Sequence, residues 1–398
     1  MNENVSIKEL LSGVEVEWKK LGEVAELKRG RVISKTFLTE NKGEYPVYSS
    51  QTLNNGEIGK INTYDFDGEF VNWTTDGANA GTIFYRVGKF SITNVSGLIK
   101  LDRDSNLTYK FLYYWLSIEA KKYVYSGMGN PKLMSNQMAK IKIPIPPLKV
   151  QSEIVRILDN FTELTAELTA ELTARKKQYS YYRDKLLDFS NKDLGFRVEW
   201  KRLGEVGEFI RGKRFVKNDM NLENGVPCIH YGEMYTYYNI WAKKTKSFVS
   251  KELVETKKLR VAEKGDVVIV SAGETIEDIG LGTAWLGDEK VVIHDACFFY
   301  KSNLNPKYVA YFTRTKQFHD QIKRHISSGK ISAINAKGLS KVIIPIPPIE
   351  KQKEIVEILD KFDTLTNSIS EGLPKEIELR VKQYEYYRDM LLSFPKED

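Results

Sequence analysis

Residues 143–161 of this chain read IPIPPLKVQSEIVRILDNF, and residues 344–362 read IPIPPIEKQKEIVEILDKF. The similarity extends to both sides of this block. The flanking pairs are VEWKKLGEVAELKRGRVISK at 16–35 with VEWKRLGEVGEFIRGKRFVK at 198–217, and RKKQYSYYRDKLLDF at 175–189 with RVKQYEYYRDMLLSF at 380–394. The 398 residues therefore form two related halves, which agrees with a length that exceeds one hydrophobic core.

A long helix is predicted after each IPIPP block. Over residues 151–187, apolar side chains recur at steps of three and four, the spacing of a single stripe on a helix roughly 55 Å long. One stripe on so long a helix requires a second helix against it, and the second copy has the same steps. We therefore expect a pair of antiparallel or crossing helices, with Gly372 and Pro374 kinking or interrupting the second. The predicted helix–helix interface consists of Ile154, Phe161, Leu164, Leu168, Leu172, Tyr179, Tyr182, Leu186, Ile355, Phe362, Leu365, Ile369, Tyr384, Tyr387 and Leu391.

Within the first helix, residues 163–174 spell ELTA three times. Because Leu164, Leu168 and Leu172 are four residues apart, adding or deleting one unit keeps nearly the same face apolar and changes the helix length by about 6 Å. We interpret the repeat as a spacer. The alternative, a stretch that is simply a good helix former, explains the composition but not the tandem repetition.

Proline clusters mark the predicted domain boundaries, because proline fixes an extended chain and permits a helix to start after it. The segments between the clusters favour short strands with some helix, including helices at 108–124 and 306–326. The predicted class is α+β: two β-rich domains with helices, separated by a pair of long antiparallel coiled-coil-like helices, with an internal pseudo-two-fold repeat. The predicted domains are residues 1–147, 148–190, 191–348 and 349–398.

Positive charge is concentrated in the two large segments. Residues 1–147 carry 19 Lys and Arg against 16 Asp and Glu, and residues 191–347 carry 26 against 18. Residues 148–190 balance at 7 and 7, while residues 348–398 carry 8 against 12. Basic large segments favour a polyanionic partner and the remaining segments a protein partner, although an ordinary solvated surface can be equally basic.

The composition favours a cytoplasmic protein. No apolar run approaches the length of a membrane span, and the polar start MNENVSIKEL does not have the pattern of a signal peptide. The two cysteines, Cys228 and Cys297, lack the spacing of a zinc site. We expect them to be structural residues in a reducing compartment, with a disulfide as the weaker alternative.

The duplicated IPIPP…Q…IV.ILD block, the long helix after each copy and the tandem ELTA units resemble the specificity (S) subunit of type I restriction–modification systems over nearly the whole chain. The resemblance implies two target-recognition domains, each contacting one half of a split, asymmetric sequence in double-stranded DNA. It also implies that the helices set the separation of the domains and dock two methyltransferase (M) subunits, which transfer a methyl group from S-adenosylmethionine to adenine. Restriction (R) subunits join for ATP-dependent translocation and cleavage. S-adenosylmethionine, ATP and magnesium are therefore expected only on partner subunits, and no cofactor on this chain.

The motif content indicates a non-catalytic subunit without a metal site. No GxxxxGK[ST] phosphate-binding loop occurs, and the nearest approach to an amino-methyltransferase motif, at residues 305–308, has Lys307 where the second proline belongs and is better explained as a helix start. The four histidines have no metal-ligand spacing. Two alternatives remain, a fused modification enzyme and a coiled-coil scaffold that binds only proteins. The missing motifs argue against the first, and the second leaves the basic surplus unexplained.

Candidate DNA contacts are basic and polar side chains in predicted loops. KRGR at 28–31 and RGKR at 211–214 occupy equivalent places, and a glycine between cations lets the backbone and side chains approach a phosphate. The predicted phosphate contacts are Lys28, Arg29, Arg31, Lys132, Arg211, Lys213, Arg214 and Lys330. The predicted base contacts are Asn72, Thr74, Thr75, Asp76, Asn79, His230, Tyr231 and Glu233. Solvated charge for the first set and turn formation for the second are alternatives of comparable weight.

Overall fold

The chain forms two compact units, each containing one globular domain and part of both long helical segments. The first unit is Met1–Glu167 with Ile377–Asp398, and the second is Leu168–Glu376. The computed structural model describes residues 11–127, 129–190, 195–329, 331–368 and 370–395. Within these ranges, no helix combines the length and the apolar character that crossing a membrane requires.

The first globular domain, residues 11–147, is built around a six-stranded mixed sheet. Its strands are β1 Glu17–Lys20, β2 Ala25–Arg29, β3 Lys42–Tyr48, β4 Glu57–Ile61, β5 Phe66–Thr74, β6 Ile83–Ile92, β7 Ser96–Leu101 and β8 Lys142–Ile145. Its α-helices are α1 Lys35–Glu40, α2 Tyr109–Glu119 and α3 Ser135–Met138. The sheet order is β2-β7-β5-β6-β3-β4, with only β3 and β6 parallel, and a separate ladder joins β1 to β8.

Apolar and aromatic side chains hold this domain together. Val71 and Trp73 on β5 are fully buried and lie in one core cluster with Phe111 and Trp115 of α2. The Trp73 ring lies where a side chain on Gly97 would be, since a Cβ there would come within 2.2 Å of the ring. The predicted helix at 108–124 is confirmed, because the 3₁₀ turn Ala120–Tyr123 continues α2.

The second globular domain, residues 195–348, repeats this plan with longer insertions. Its strands are β9 Glu199–Arg202, β10 Gly207–Arg211, β11 Met220–Asn221, β12 Val226–Ile229, β13 Trp241–Ala242, β14 Ser247–Val249, β15 Val261–Ala262, β16 Val267–Val270, β17 Ala272–Gly273, β18 Gly282–Trp285, β19 Val291–Ile293, β20 Cys297–Ser302, β21 Ser332–Ala333 and β22 Ile343–Ile346. The long helix α4, Leu148–Leu186, precedes this domain. The helices of the domain are α5 Leu203–Val206, α6 Tyr231–Thr236, α7 Lys251–Lys257, α8 Pro306–Phe312, α9 Lys316–Ile322 and α10 Ala336–Ser340. Two five-stranded sheets, β10-β20-β16-β18-β13 and β11-β14-β12-β19-β15, are accompanied by ladders of β17 with β21 and of β9 with β22.

The two domains differ most where a single strand of the first is divided in the second. Strand β6 pairs with β5 along its first part and with β3 at its end. In the second domain, β18 pairs with β16, and the separate β19 pairs in parallel with β12. Together with further short strands in the insertions, this division gives two five-stranded sheets in place of one six-stranded sheet. It explains why the starts and ends of the two segments match in sequence while their middles do not.

The long helices follow both globular domains. Helix α4 is continuous over 39 residues, about 58 Å. The corresponding C-terminal segment is divided into α11 Ile349–Asn367 and α12 Gly372–Leu391. The predicted interruption at Gly372 is confirmed, because this residue has φ +78° and a Cβ there would lie 2.4 Å from the Thr364 carbonyl oxygen. Only glycine accommodates both conditions.

Aromatic stacking joins the helices within each unit. In the first unit, Phe161 stacks on Tyr387 with ring centroids 5.3 Å apart. In the second unit, Tyr179 and Tyr182 stack on Phe362 at 6.3 and 5.6 Å. Each unit therefore joins its part of α4 to its part of the C-terminal helical segment through stacked aromatic rings.

The other predicted interface residues differ in their surroundings. Ile154 and Leu391 are buried in the core of the first unit, and Ile355 is buried in the core of the second. Leu164 is 45% exposed. The half-buried members are Leu168, Leu172, Leu186, Leu365 and Tyr384. Ile369 lies outside the described residues.

Residues that are identical in the two copies of the repeated block have matching contacts. Gln151 is fully buried, donates to the Pro146 carbonyl at 2.8 Å and accepts from the Thr108 amide at 2.9 Å. In the second copy, Gln352 donates to Pro347 at 3.0 Å and accepts from the Asn305 amide at 3.0 Å. Each glutamine thus ties the proline turn to the N-terminus of the aromatic helix.

The aspartate of each ILD sequence completes this attachment. Asp159 accepts from the Lys110 ammonium at 2.5 Å and from the Tyr114 hydroxyl at 2.7 Å. Asp360 accepts in the same way from Lys307 at 2.6 Å and Tyr311 at 2.7 Å. Residues 305–308 form a helix start, as predicted, with Asn305 capping the amides of Lys307 and Tyr308.

The α+β class and the internal repeat are confirmed. Both cysteines are free and buried, as predicted, and burial raises the pKa of the Cys228 thiol to about 12. Strand β2 differs from the sequence prediction, which places KRGR in a loop, and β4 is an additional strand that the sequence analysis does not predict. Lys28 and Arg29 in fact end a strand rather than lie in a loop.

Candidate nucleic-acid interface

The repeated Arg–Gly pair lies at the end of β2 in one domain and of β10 in the other. A Cβ on Gly30 would come within 2.2 Å of the Ile92 carbonyl oxygen, and one on Gly212 would come equally close to that of His294. Glycine is therefore required here by close packing against a neighbouring strand end. This is a different reason from the predicted approach to a phosphate.

The arginines fasten the same neighbouring turn. Arg29 donates from Nη2 to the Asn94 carbonyl at 2.5 Å, and Arg211 donates from Nε to the Asp295 carbonyl at 2.9 Å. These turns lead into β7 and β20, which pair with the strands that carry the arginines. One donor of each guanidinium group thus has a structural role, while both side chains stay exposed at the surface.

The remaining basic candidates of the first domain are partly engaged in ion pairs. Arg31 donates to the Asp65 carboxylate at 2.9 Å and keeps 41% of its side chain exposed. Lys28 lies 3.3 Å from Glu26. Lys132 is exposed at the turn that precedes α3. Exposed pairs of this kind are weak, so all three cations are available to a stronger anion.

In the second domain, Arg214 is exposed and lines a cavity of 460 Å³. Lys213 is half-buried and donates to the Lys257 carbonyl at 3.4 Å. Lys330 lies outside the described residues. Arg214 is thus a predicted basic side chain that lies beside a concave surface.

The predicted base contacts of Asn72, Thr74 and Thr75 are corrected, because these residues are fully buried. Asn72 donates to the Gly97 carbonyl at 2.9 Å, and the Thr74 hydroxyl accepts from the Thr82 amide at 3.0 Å. Both satisfy polar groups within the sheet and its turn, as buried polar groups must. They do not face a base edge.

Asp76 and Asn79 remain accessible in the same loop. Asp76 lies 3.7 Å from the Arg29 guanidinium and 3.9 Å from the Lys132 ammonium, and it accepts from the Thr75 hydroxyl at 2.5 Å. Asn79 is exposed. A carboxylate between two cations gives this face of the first domain mixed charge.

The predicted histidine site of the second domain lies in the same cavity as Arg214. His230 and His294 follow the parallel strands β12 and β19, and their rings are 4.4 Å apart. The Tyr231 ring lies 4.6 Å from His230, and the buried Phe215 ring lies 5.1 Å from His294. The cavity therefore has an aromatic floor.

Both histidines are held neutral. Burial, with His294 as a neighbour, lowers the pKa of His230 to about 4. Its Nδ1 accepts from the Gly232 amide at 3.3 Å, so the ring proton is on Nε2. Burial also lowers the pKa of His294, against the attraction of Asp295, and its Nδ1 accepts from the Ala296 amide at 3.1 Å.

Glu233 requires a correction as well. It is only 8% exposed, and its carboxylate accepts from the backbone amide of His230 at 3.1 Å and from the Ser247 hydroxyl. These contacts fix the start of α6. Glu233 therefore positions His230 and does not itself present a group to DNA.

The first domain has a serine and a threonine at the strand ends that correspond to those of His230 and His294. Ser49 and Thr93 follow the parallel strands β3 and β6, and their hydroxyl oxygens are 2.9 Å apart. From the sequence alone, Ser49, Thr93 and His294 are not predicted as site residues. Placing ITNVS beside IHDAC, which follow matching strands, is the signal that identifies Thr93 and His294 as equivalent.

Known proteins with related sequences identify the family. Residues 13–175 and 197–379 each match the family model described as the type I restriction modification DNA specificity domain. The chain belongs to the family of type I specificity subunits. This specificity subunit is 35% identical over 417 residues to the specificity subunit of type I restriction enzyme EcoR124I/EcoR124II of Escherichia coli, covering 100% of this chain and 99% of that one. It is 36% identical over 416 residues to a Haemophilus influenzae protein assigned as a type I restriction enzyme specificity subunit, with 99% of both chains covered.

Two solved structures share the fold of this specificity subunit. The S subunit of a type I restriction–modification system from Mycoplasma genitalium is similar with a TM-score of 0.57 at 16% identity, covering 97% of this chain and 98% of that chain. A chain from a structure that concerns complex assembly and conformational transition of the type I system has a TM-score of 0.62 at 17% identity, covering 96% and 98%. At these identities the likeness concerns the fold alone.

Proposed function

We propose that this chain gives a type I restriction–modification complex its DNA sequence specificity. Each globular domain contacts one half of a bipartite, asymmetric target in double-stranded DNA. The chain contributes recognition in the cytoplasm, whereas catalysis, with S-adenosylmethionine, ATP and magnesium, belongs to M and R subunits. Support comes from the family and from the printed names of the relatives, which describe specificity subunits of restriction enzymes.

One observation carries the proposal. The two domains present different polar groups at equivalent positions of a shared framework, a serine–threonine pair at 49 and 93 and a histidine pair at 230 and 294. A shared framework with different contact groups is what two domains need if they bind different halves of one sequence.

Phosphate contacts are assigned to exposed and half-buried cations of the two globular domains. In the first domain they are Lys28, Arg29, Arg31 and Lys132, and in the second Arg211, Lys213 and Arg214. The surplus of positive charge in both globular segments supports this assignment. Arg29 and Arg211 would combine a phosphate contact with their role at the adjacent turn.

The helices are proposed to set the spacing and to dock two M subunits. Each unit exposes an equivalent tyrosine on its long helix, Tyr386 in the first unit and Tyr181 in the second, with 65% and 59% of the residue accessible. Leu379 is also 52% exposed. Large exposed apolar side chains repeated in both units support two equivalent protein partners.

Binding and methylation assays on the full chain test this function. We expect the isolated chain to bind duplex DNA weakly, with affinity falling steeply as salt rises, and to gain specificity when its M subunits are added. Sequencing of methylated adenines should then give two defined half-sequences around an unspecified gap. An affinity that does not respond to salt, together with no methylated motif, would favour the protein-only scaffold.

A further inference from the structure

The cavity of the second domain contains a hydrogen-bond donor whose partner is missing from the protein. His230 is only 5% exposed and lines the cavity. Its Nδ1 is occupied by the Gly232 amide, and among the described residues no group accepts from its Nε2. The Nε2 atom is not among the fully buried polar atoms that lack a partner, so it is accessible and can donate to a ligand in the cavity.

The orientation of this donor is fixed from two sides. The backbone amide of His230 donates to Glu233, and the His230 side chain caps α6 through Gly232. The His294 ring packs against it at 4.4 Å. With Nδ1 engaged as an acceptor, the neutral imidazole offers Nε2 only as a donor.

The walls of the cavity indicate what kind of ligand fits. Tyr231, at 4.6 Å from His230, is half-buried and adds an aromatic surface. Arg214 and Lys217 are exposed and line the same cavity. The aromatic surface beside the His230 donor suits the plane and edge of a nucleobase, and the cations suit the flanking phosphates, while the carboxylates of Glu274 and Asp295 also line the cavity.

We propose that this histidine pocket receives the edge of one base of the target and selects it through the Nε2–H of His230. The proposal rests on the proposed function and assigns the site and the chemistry of recognition. The base presents an acceptor atom to the pocket, as guanine O6 and N7, adenine N7 and thymine O4 do in the major groove. An edge that presents the N4 amine of cytosine would place donor against donor and is rejected.

The first domain supports this assignment by contrast. At the equivalent strand ends, the hydroxyls of Ser49 and Thr93 are 2.9 Å apart. A hydroxyl donates or accepts as its partner demands, whereas the His230 ring is limited to donation. The two domains therefore differ in hydrogen-bonding character at the same structural position.

Two substitutions separate the donor from the helix cap. His230→Asn keeps an oxygen near the Nδ1 position and so preserves the cap, but it has no group that reaches the position of Nε2. His230→Gln places an amide donor near Nε2 and gives up the cap. The matched control is His325→Gln, a half-buried histidine of the same domain that does not line the cavity.

The experiment maps methylated sites in cells that express each full-length variant with its M subunits. For His230→Asn we expect preference at one position of one half-sequence to fall by roughly tenfold or more, with the other half unchanged. His230→Gln should retain that preference and lower the unfolding temperature. His325→Gln should leave the motif unaltered.

The outcomes distinguish this proposal from the proposed function. A wild-type chain that directs no two-part motif overturns the proposed function and this inference with it. A normal wild-type motif that His230→Asn leaves unchanged overturns the pocket assignment alone. Uniformly weaker methylation of every site by His230→Asn, without relaxation at one position, would assign the donor to a phosphate and also overturns it. Should His230→Asn fail to fold, loss of the motif position in His230→Gln would contradict the proposal.

Discussion

Single buried side chains connect the repeated sequence to the fold at the residue scale. Gln151 and Gln352 each satisfy a proline carbonyl and the amide that opens an aromatic helix. Because the same four groups meet in both copies, the glutamine is preserved in the repeat for an internal reason. Two exposed positions beside the glutamine differ between the copies, since Lys149 and Ser152 of the first are Glu350 and Lys353 in the second.

We expect Gln151→Ala to lower the free energy of unfolding by about 1–3 kcal/mol, since it leaves buried polar groups without partners. Gln352→Ala should have the same effect, because its contacts are equivalent. Thermal unfolding monitored by circular dichroism measures both changes. Ser152→Ala, on the exposed side of the same helix, is the control and should be neutral. Equal stability of the glutamine variants and the control would show that this attachment does not stabilise the fold.

His230 makes the stability of the second domain depend on pH. Its pKa of about 4 in the folded chain lies below the ordinary value of 6.5, so the unfolded chain takes up the proton first. The free energy of unfolding therefore has its full contribution from the neutral His230 above pH 6.5. This contribution falls by up to about 3 kcal/mol as the pH drops from 6.5 to 4. Burial lowers the pKa of His294 and His319 as well, so the effect of His230 is obtained as a difference from His230→Asn. Identical pH profiles for the two proteins would contradict the neutral, buried histidine.

At the scale of elements, the division of the C-terminal helical segment is the main departure from the repeat. Helix α11 ends at Asn367 and α12 begins at Gly372, whereas α4 runs without a break. The left-handed φ of Gly372 and its proximity to the Thr364 carbonyl fold the chain back over the end of α11. The break is thus a built turn, and it depends on one glycine.

Gly372→Ala should lower the free energy of unfolding by about 1–3 kcal/mol, because alanine at positive φ is strained and its Cβ would meet a carbonyl oxygen. Differential scanning calorimetry of the full chain measures this loss. Gly329→Ala is the matched control in the same unit, since a Cβ there has ordinary contact at 3.6 Å with Ile331. Equal melting temperatures for Gly372→Ala and Gly329→Ala would mean that the turn does not require glycine at position 372.

Elements set by local pattern were predictable, and contacts set by distant partners were not. The stripe at steps of three and four predicted the first long helix within a few residues, and Gly372 with Pro374 predicted the interruption. The burial of Asn72 depends on Gly97, and the requirement for Gly30 depends on Ile92, both far along the chain. The proximity of His230 to His294 likewise depends on the parallel pairing of strands β12 and β19, which the local sequence does not predict.

At the scale of the whole molecule, the chain combines two recognition domains with a long helix, α4, that contains a four-residue sequence repeated in tandem. Residues 163–174 lie entirely within α4, so the repeat belongs to one uninterrupted helix. Leu164 is 45% exposed, and Leu168 and Leu172 are half-buried, so losing one unit removes little packing. The C-terminal helical segment consists of two helices, α11 and α12, and not of one continuous helix. A change in the length of α4 therefore does not require one long C-terminal helix to change its length by the same amount.

The most direct test of the account is the methylation motif of a chain from which one ELTA unit is deleted. The deletion shortens α4 by about 6 Å, which corresponds to one or two base pairs at roughly 3.4 Å of rise. The full variant and its M subunits are expressed together, and methylated adenines are mapped by sequencing, with the wild-type chain and a chain carrying one added unit as references. We predict that both half-sequences stay the same while the gap shortens by one or two base pairs, and that the added unit lengthens it. A gap that does not change, or half-sequences that do, would contradict the claim that two independent recognition domains are spaced by the helix.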